Sequence, residues 1–525
     1  ENMFEKYSMI VIYVGILMCL GYIASKRVKS MKDFVIGGKS LGFLVAAFSA
    51  QATGESAWLL LGLTGMGAML GFSTYWVVVG ELLGVGVAWF LMANRFKRLT
   101  DKYDSITVID YMVNRFRSKT NVLRIVSAIV LTVFVLIYIS AQIDATGSAF
   151  ETFLNWDYHV GAVVGFFVVA TYCIAGGFLA AAWTDMFQGA MMLICLLLLP
   201  AVAYLSLSNS GSIYAGLSAI EPGLVNMWGA GGFSLMNMSV VIGMMLIGLG
   251  FMGSPQVFVR FIAIRSEQQI NRGKWVAMLF TLLVDFSAVS IGVLGRYIFT
   301  TQGVEAETVL GNGAQNVLSE LVSYTFPPLL VGLYVAAVLS AIMSTVSSLL
   351  VMAASSITHD LYEKIINPDL SDSHAARLCR RITIVLAAAS LGLAILVSIL
   401  SPDRTIFWFV IFGWAGIAAT FCPMIILSLF WPRFTERAAI AAMITGFSMT
   451  LISKFVLQSM DGIGPYFTAL ETMPPSFLSA LLVGYVVSIM WPDKQLEAQY
   501  RADLASIGHA KDEGVQVAVE SVASN

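Results

Sequence analysis

Apolar runs of about twenty residues recur along this 525-residue chain, and nothing else in it narrows the possible folds as much. A run of that length matches the hydrocarbon thickness of a bilayer when it is helical. Hydrophobic residues make up 58% of the chain and charged residues only 12%, about half the charge of an ordinary soluble domain. The runs are continuous rather than alternating, which excludes a transmembrane β-barrel. Every backbone polar group in lipid must be satisfied within its own segment. The fold class is therefore an all-α polytopic membrane protein.

Hydropathy places about thirteen spans. They lie near 7–25, 41–69, 73–93, 123–147, 159–175, 179–206, 238–262, 274–300, 328–358, 380–400, 405–430, 438–457 and 475–491. The first run is too long for a signal-peptide core and lacks a small-residue cleavage site before Ser25-Lys26-Arg27, so it reads as a retained span. Loop charge alternates with the spans. Lys26, Arg27, Lys29, Lys32 and Lys39 follow the first, and Arg95, Lys97, Arg98, Arg115 and Arg117 the third. Arg265, Arg272 and Lys274 follow the seventh, Lys364, Arg377, Arg380 and Arg381 the ninth, and Arg433 and Arg437 the eleventh. The intervening loops are acidic or bare.

Under the positive-inside rule, odd-numbered spans exit to the cytoplasm. The N-terminus is expected outside, and the tail 492–525 is expected to be cytoplasmic and partly disordered. Residues 1–491 form one transmembrane domain, and segments 101–120 and 312–325 read as short interfacial helices. Cys19, Cys173, Cys195 and Cys422 fall in apolar runs and Cys379 in a basic loop, with no pairing implied.

Two spans carry residues that disfavour a regular helix at mid-membrane depth. The second holds Gly54 beside Glu55 and several hydroxyls. The seventh holds Gly248, Gly250 and Gly253 ahead of Pro255. Five spans separate the two breaks, as in an inverted pair of five-helix repeats, about 41–206 and 238–430.

The ninth span adds a hydroxyl cluster: Ser344, Thr345, Ser347 and Ser348 recur within little more than one helical turn. Bare hydroxyls in hydrocarbon are costly unless satisfied, and oxygen ligands of this kind suit a hard cation such as sodium. The pattern points to ion-coupled transport.

Glu55, Glu81, Asp144, Asp185 and Asp285 fall inside spans, where an acid defaults to a functional role. Asp185 is the leading candidate, because one carboxylate beside a cation offsets its charge. Glu55 is expected to offer its backbone carbonyl, freed by the break. Glu81 and Asp285 are read against lipid headgroups or neighbouring helices, and Asp144 as solvated near the outer end of its span.

Other functions fit less well. A channel needs polar residues lining the membrane throughout, and a sensor needs a signalling domain larger than the short tail. An embedded enzyme needs a nucleophile or metal cluster, whereas His159, His359, His374 and His509 are scattered.

At these residues the chain resembles the sodium/solute symporter family, and most of all its sodium/proline branch. The likeness rests on Gly37-Gly38-Lys39-Ser40-Leu41-Gly42, on Ser56-Ala57-Trp58-Leu59, and on Gly176-Gly177-Phe178-Leu179-Ala180 with Trp183-Thr184-Asp185. Ser344-Thr345 with Ile357-Thr358-His359-Asp360-Leu361-Tyr362, and Gly413-Trp414-Ala415-Gly416 with Pro423, extend it.

The resemblance implies a leucine-transporter-like fold and sodium-driven import of a small organic solute by alternating access. It implies a main sodium site from the carbonyls of Ala52, Glu55 and Ala341 and the hydroxyls of Ser344 and Thr345. A second site would join Asp185 with Ser344, Ser347 and Ser348, giving one or two sodium ions per cycle. The solute would bind by Ser56, Ala57, Trp58, Tyr138, Phe251 and Trp414.

Proline or another amino acid is the expected solute. A small organic acid such as a carboxylate or sialic acid, or proton coupling, is the alternative. Where the branch has a Trp, a Tyr and an aspartate at the two breaks, this chain has Ile247, Phe251 and Gly54. The expected setting is a cell membrane, plasma or inner, with a monomeric transport unit, no enzyme activity and no nucleic acid.

Overall fold

The computed structural model describes residues 2–207 and 211–523. The side chains of residues 2, 169, 172, 173, 175, 176 and 509 onward lie outside that description, and Cys173, Gly176 and His509 with them. Ten helices position the site: α1 (Phe43–Ala57), α2 (Trp76–Gly86), α3 (Val108–Phe116), α4 (Val122–Leu154), α5 (Tyr158–Ser206), α6 (Pro255–Ala263), α7 (Glu267–Phe299), α8 (Pro328–Ser355), α9 (Ile406–Phe430) and α10 (Lys494–Ala523). Among the described residues, the one strand-like contact is an isolated bridge between Leu41 and Ile264.

Among the described residues, eleven helical stretches are long and apolar enough to cross a membrane, where hydropathy expects about thirteen segments. The difference has two sources. Phe43–Lys102 runs as one stretch of 60 residues, although its chain turns at Gly71 with φ 69°. Helix α5 covers the fifth and sixth expected segments as one helix with an interruption at Gly177 (φ 57°), and its part Gly177–Ser206 is among the eleven.

Both breaks are present. Helix α1 is interrupted at Ser56, whose φ of 55° and ψ of −169° are non-helical, and the chain then winds as a π-helix over Trp58–Leu63. The interruption lies two residues beyond Gly54. A non-glycine residue held there costs about 1–3 kcal/mol, and the Ser56 hydroxyl partly offsets this by accepting from the Trp58 N–H at 3.3 Å. The second break is a 3₁₀ stretch, Leu246–Phe251, followed by Gly253 at φ 144° and the start of α6 at Pro255. Proline suits a first helical turn, whose N–H groups have no intrahelical partner.

A glycine seam joins α2 to the second break. A Cβ on Gly80 would lie 2.0 Å from the Met245 carbonyl oxygen, and one on Gly248 would lie 2.1 Å from that of Gly80. Backbone rests directly on backbone, which sets Glu81 beside the break.

The C-terminal helix and the segments it docks on are more ordered than the sequence suggests. Residues 494–523, expected to be partly disordered, form helix α10. Its Tyr500 is buried with Arg115 stacked 3.5 Å from the ring centroid, and the Tyr500 hydroxyl donates to the Leu429 carbonyl at 2.7 Å. Asp503 accepts from Arg117 at 2.9 Å and pairs with Lys102 at 3.2 Å. Cys379, expected in a loop, is buried within the helix Asp372–Leu400.

Arg124 pairs with Asp110 at 2.9 Å and with Asp360 at 2.6 Å, tying α3 and α4 to the π-helical extension of α8, Ser356–Ile366. Burial alone would raise the Asp110 carboxyl, but His359 and Arg124 pull it down to about 2.

Candidate ion and solute site

Helix α8 crosses α1 with its hydroxyl face fully buried. Thr345 Oγ1 donates to the Thr53 carbonyl at 3.0 Å and to its own-helix Ala341 carbonyl at 3.2 Å. The bond to Thr53 reaches across helices to the last turn before the Ser56 break, where Ala52 and Glu55 also lie buried. Ser344 lies near Asp185, yet its hydroxyl meets hydrogen-bond geometry with no described group. Neutral carbonyl and hydroxyl oxygens with one hydroxyl left unsatisfied form a donor set that fits a sodium ion.

Asp185 has a partner that the sequence reading missed. Arg260 on α6, fully buried, donates from Nη2 to Asp185 Oδ2 at 3.1 Å and from Nε to Ser49 Oγ at 3.0 Å. Ser49 donates to the same carboxylate oxygen at 2.7 Å, and Thr53 and Ser348 share a hydrogen bond of 3.0 Å beside it. Ser348 thus joins the Asp185 group. Ser347 turns away and donates to the Ser344 carbonyl at 3.1 Å. The signal for Arg260 was present in the sequence, as a lone cation inside Val257-Phe258-Val259-Arg260-Phe261-Ile262. A buried arginine needs an acid, and buried Asp185 lacked a base.

The other span carboxylates also differ from expectation. Asp144 is buried rather than solvated, and accepts from Arg404 Nε at 3.0 Å. Glu81 and Asp285, read against headgroups or neighbouring helices, converge with Glu55. Oxygens of the three lie within 4.8 Å of one another, all three residues are buried, and no ion pair reaches them among the described residues.

Of the expected solute residues, Ser56, Trp58, Tyr138 and Trp414 line one cavity of about 200 Å³, together with Gly54, Glu81, Ile247, Val410 and Ile411. Trp414 on α9 holds the second break by donating from its indole N–H to the Ile247 carbonyl at 3.0 Å. Ala57 and Phe251 do not line the cavity. The Ala57 N–H is held by Gln142 Oε1 at 3.0 Å, and the Phe251 ring packs edge-on against Trp414 with centroids 5.2 Å apart.

Two broken helices, a hydroxyl-bearing helix crossing the first break and a half-open pocket between them define a helical secondary transporter. The sodium:solute symporter family model matches residues 34–446. The chain belongs to this family, and is a sodium-coupled symporter rather than an enzyme.

It is 34% identical over 475 residues to the high-affinity proline transporter PutP of Bacillus subtilis (strain 168), covering 90% of this chain and 96% of that one. It is 30% identical over 489 residues to the sodium/proline symporter of Staphylococcus aureus (strain JH9), covering 92% of each. Its fold matches that of a Na+-coupled sialic acid symporter with a TM-score of 0.74 at 16% identity, over 94% of this chain and 100% of that one. It also matches MhsT, solved in complex with L-phenylalanine, with a TM-score of 0.52 at 14% identity, over 85% and 98% of the two chains.

Proposed function

We propose that this symporter imports proline, or a closely similar small amino acid, across the plasma or inner membrane, with its N-terminus outside and α10 in the cytoplasm. The observation that carries this reading is the Thr345 hydroxyl bonded to the Thr53 carbonyl beside the first break, next to the pocket lined by Ser56, Trp58, Tyr138 and Trp414. Two relatives at 30–34% identity are named as proline transporters, which supports proline among the candidates.

Sodium entering from outside binds between Ala52, Glu55, Ala341, Ser344 and Thr345 and replaces the Thr345–Thr53 bond with ion contacts to both helices. That joins α8 to the interrupted end of α1 and fixes Ser56 and Trp58 at the cavity wall. The solute then binds against Tyr138 and Trp414. The ion contributes about 2.3 kcal/mol per 100 mV of membrane potential, plus its concentration gradient, and reciprocity requires the solute to raise sodium affinity equally. The site supports one sodium ion per solute, because Arg260 already supplies the charge that Asp185 would take from a second. The transport unit is a monomer, since both breaks and the cavity lie within one chain.

The test is sodium-gradient-driven uptake of radiolabelled proline into proteoliposomes, with unlabelled amino acids and sialic acid as competitors. Accumulation that needs inward sodium and is blocked by proline supports the reading. Uptake blocked by sialic acid and not by proline reassigns the solute, and uptake driven by a proton gradient without sodium overturns the mechanism.

A further inference from the structure

Glu81 has no role in the sodium site, yet it reaches the solute cavity from α2. It is 2% exposed, and its Oε2 has no hydrogen-bond partner among the described residues. Behind it stand Glu55 and Asp285, each with both carboxylate oxygens likewise unpartnered. Carboxyl groups hydrogen-bond to one another only where one of them carries a proton, and Glu81 is the member of the trio that reaches the pocket. The group lacks a positively charged donor. The rest of the cavity wall fits the same ligand. Trp58, Tyr138 and Trp414 present aromatic rings, and no Lys, Arg or His lines the space. Aromatic faces around a carboxylate attract an ammonium nitrogen, by cation–π contact and by a charge-assisted hydrogen bond. A bare carboxylate ligand would meet like charge.

We infer that Glu81 is the specificity residue of this cavity. It receives the ammonium nitrogen of the solute, so the transporter accepts zwitterionic and cationic amines and rejects solutes whose only charge is a carboxylate. The inference rests on the reading above that this cavity holds the solute. It adds a residue from α2 to a site otherwise built on α1, α4 and α9.

Three solutes sharing a five-membered ring separate the two charges. Pyrrolidine carries only the ammonium, cyclopentanecarboxylate only the carboxylate, and proline both. An acyclic trio of trimethylamine, isobutyrate and N,N-dimethylglycine does the same without the ring. Binding to the purified full-length protein at saturating sodium is read from quenching of tryptophan fluorescence, since Trp58 and Trp414 line the cavity, and checked by calorimetry.

The expected result is binding of pyrrolidine and proline, none of cyclopentanecarboxylate, and a loss of about tenfold to a hundredfold in Glu81→Gln with sodium affinity unchanged. If the ring trio is silent but the nitrogen-bearing acyclic solutes bind in a Glu81-dependent way, the proline reading fails and the inference stands. Binding of either carboxylate-only solute as tightly as its amine overturns the inference. So does silence of every nitrogen-bearing solute, or a Glu81→Gln variant that loses sodium affinity while keeping the preference for amines. Should Glu81→Gln fail to fold, Glu81→Asp keeps the charge and is expected to weaken pyrrolidine less than tenfold, and the comparison of solutes on the unmodified protein needs no variant.

Discussion

Arg260 donates to Asp185 across 3.1 Å between α6 and α5, with both side chains fully inaccessible to solvent. The pair joins the helix after the second break to the core of the molecule. Removing one partner of such a pair leaves a buried charge uncompensated, at about 3–5 kcal/mol, whereas removing both is often close to neutral. Asp185→Asn and Arg260→Gln alone are therefore expected to lower the thermal midpoint of the purified protein, and the double variant to recover most of the loss. Equal destabilisation in the double variant would show that the pair is not a unit.

Sodium activation tests the role left to Asp185. With Arg260 as its counter-charge, uptake is expected to rise with sodium along a hyperbola of Hill coefficient near one. A coefficient near two that falls to one in Asp185→Asn would establish a second ion at Asp185 and overturn the one-ion stoichiometry.

Thr345 offers a more selective probe. Thr345→Val removes the hydroxyl while keeping its shape, and with it a bond worth about 1 kcal/mol and one ligand of the proposed sodium site. The half-saturating sodium concentration is expected to rise at least tenfold, about 1.4 kcal/mol, with little change in folded yield. An unchanged sodium dependence would remove Thr345 from the ion site.

Gly54 and Phe251 occupy one volume between the two breaks. A Cβ on Gly54 would lie 2.3 Å from Phe251 Cε1, so Gly54→Ala must displace the ring. Uptake is expected to fall by an order of magnitude or more, and Phe251→Leu in the same chain to restore part of it. Failure of the second substitution to rescue would place the defect in the backbone instead.

Where α10 docks, burial would raise the Asp503 carboxyl, but its bonds from Tyr103, Arg117 and Lys102 outweigh that and hold it below the usual carboxylate range. A depressed acid stabilises the folded form above its unfolded value near ~3.9, and loses that contribution as pH falls through its folded value. Docking of α10 is therefore expected to be independent of pH from neutral down to about 4 and to weaken below it. Asp503→Asn should release α10 at neutral pH, seen as faster hydrogen exchange over 494–508. Unchanged exchange in that variant would assign the docking to Tyr500 alone.

The sequence reading succeeded where a local pattern is tied to one physical cost. Hydropathy marked the spans, glycine and proline marked both breaks, and hydroxyls in lipid marked α8. It went astray where the answer depended on partners far apart in the chain. Arg260 and Asp185 are separated by 75 residues, and Glu55, Glu81 and Asp285 converge from three helices whose relative rotation no periodicity reveals. The first break falls inside the marked stretch, but on Ser56 rather than on its glycine: a serine bears the unusual angles, with its own hydroxyl accepting from the next turn. The order of 494–508 was missed because its anchors, Arg115 and Leu429, lie in other loops and helices.

The glycine seam has a mechanical consequence. With Gly80 and Gly248 in backbone contact, α2 and the second break have no side-chain layer between them to slide on. They must tilt together, as a single lever with Glu81 fixed to its arm. Any rocking that opens the second break on one side of the membrane therefore swings that carboxylate relative to Tyr138 and Trp414. In the proposed transport cycle the grip on the solute then varies with the angle of the lever.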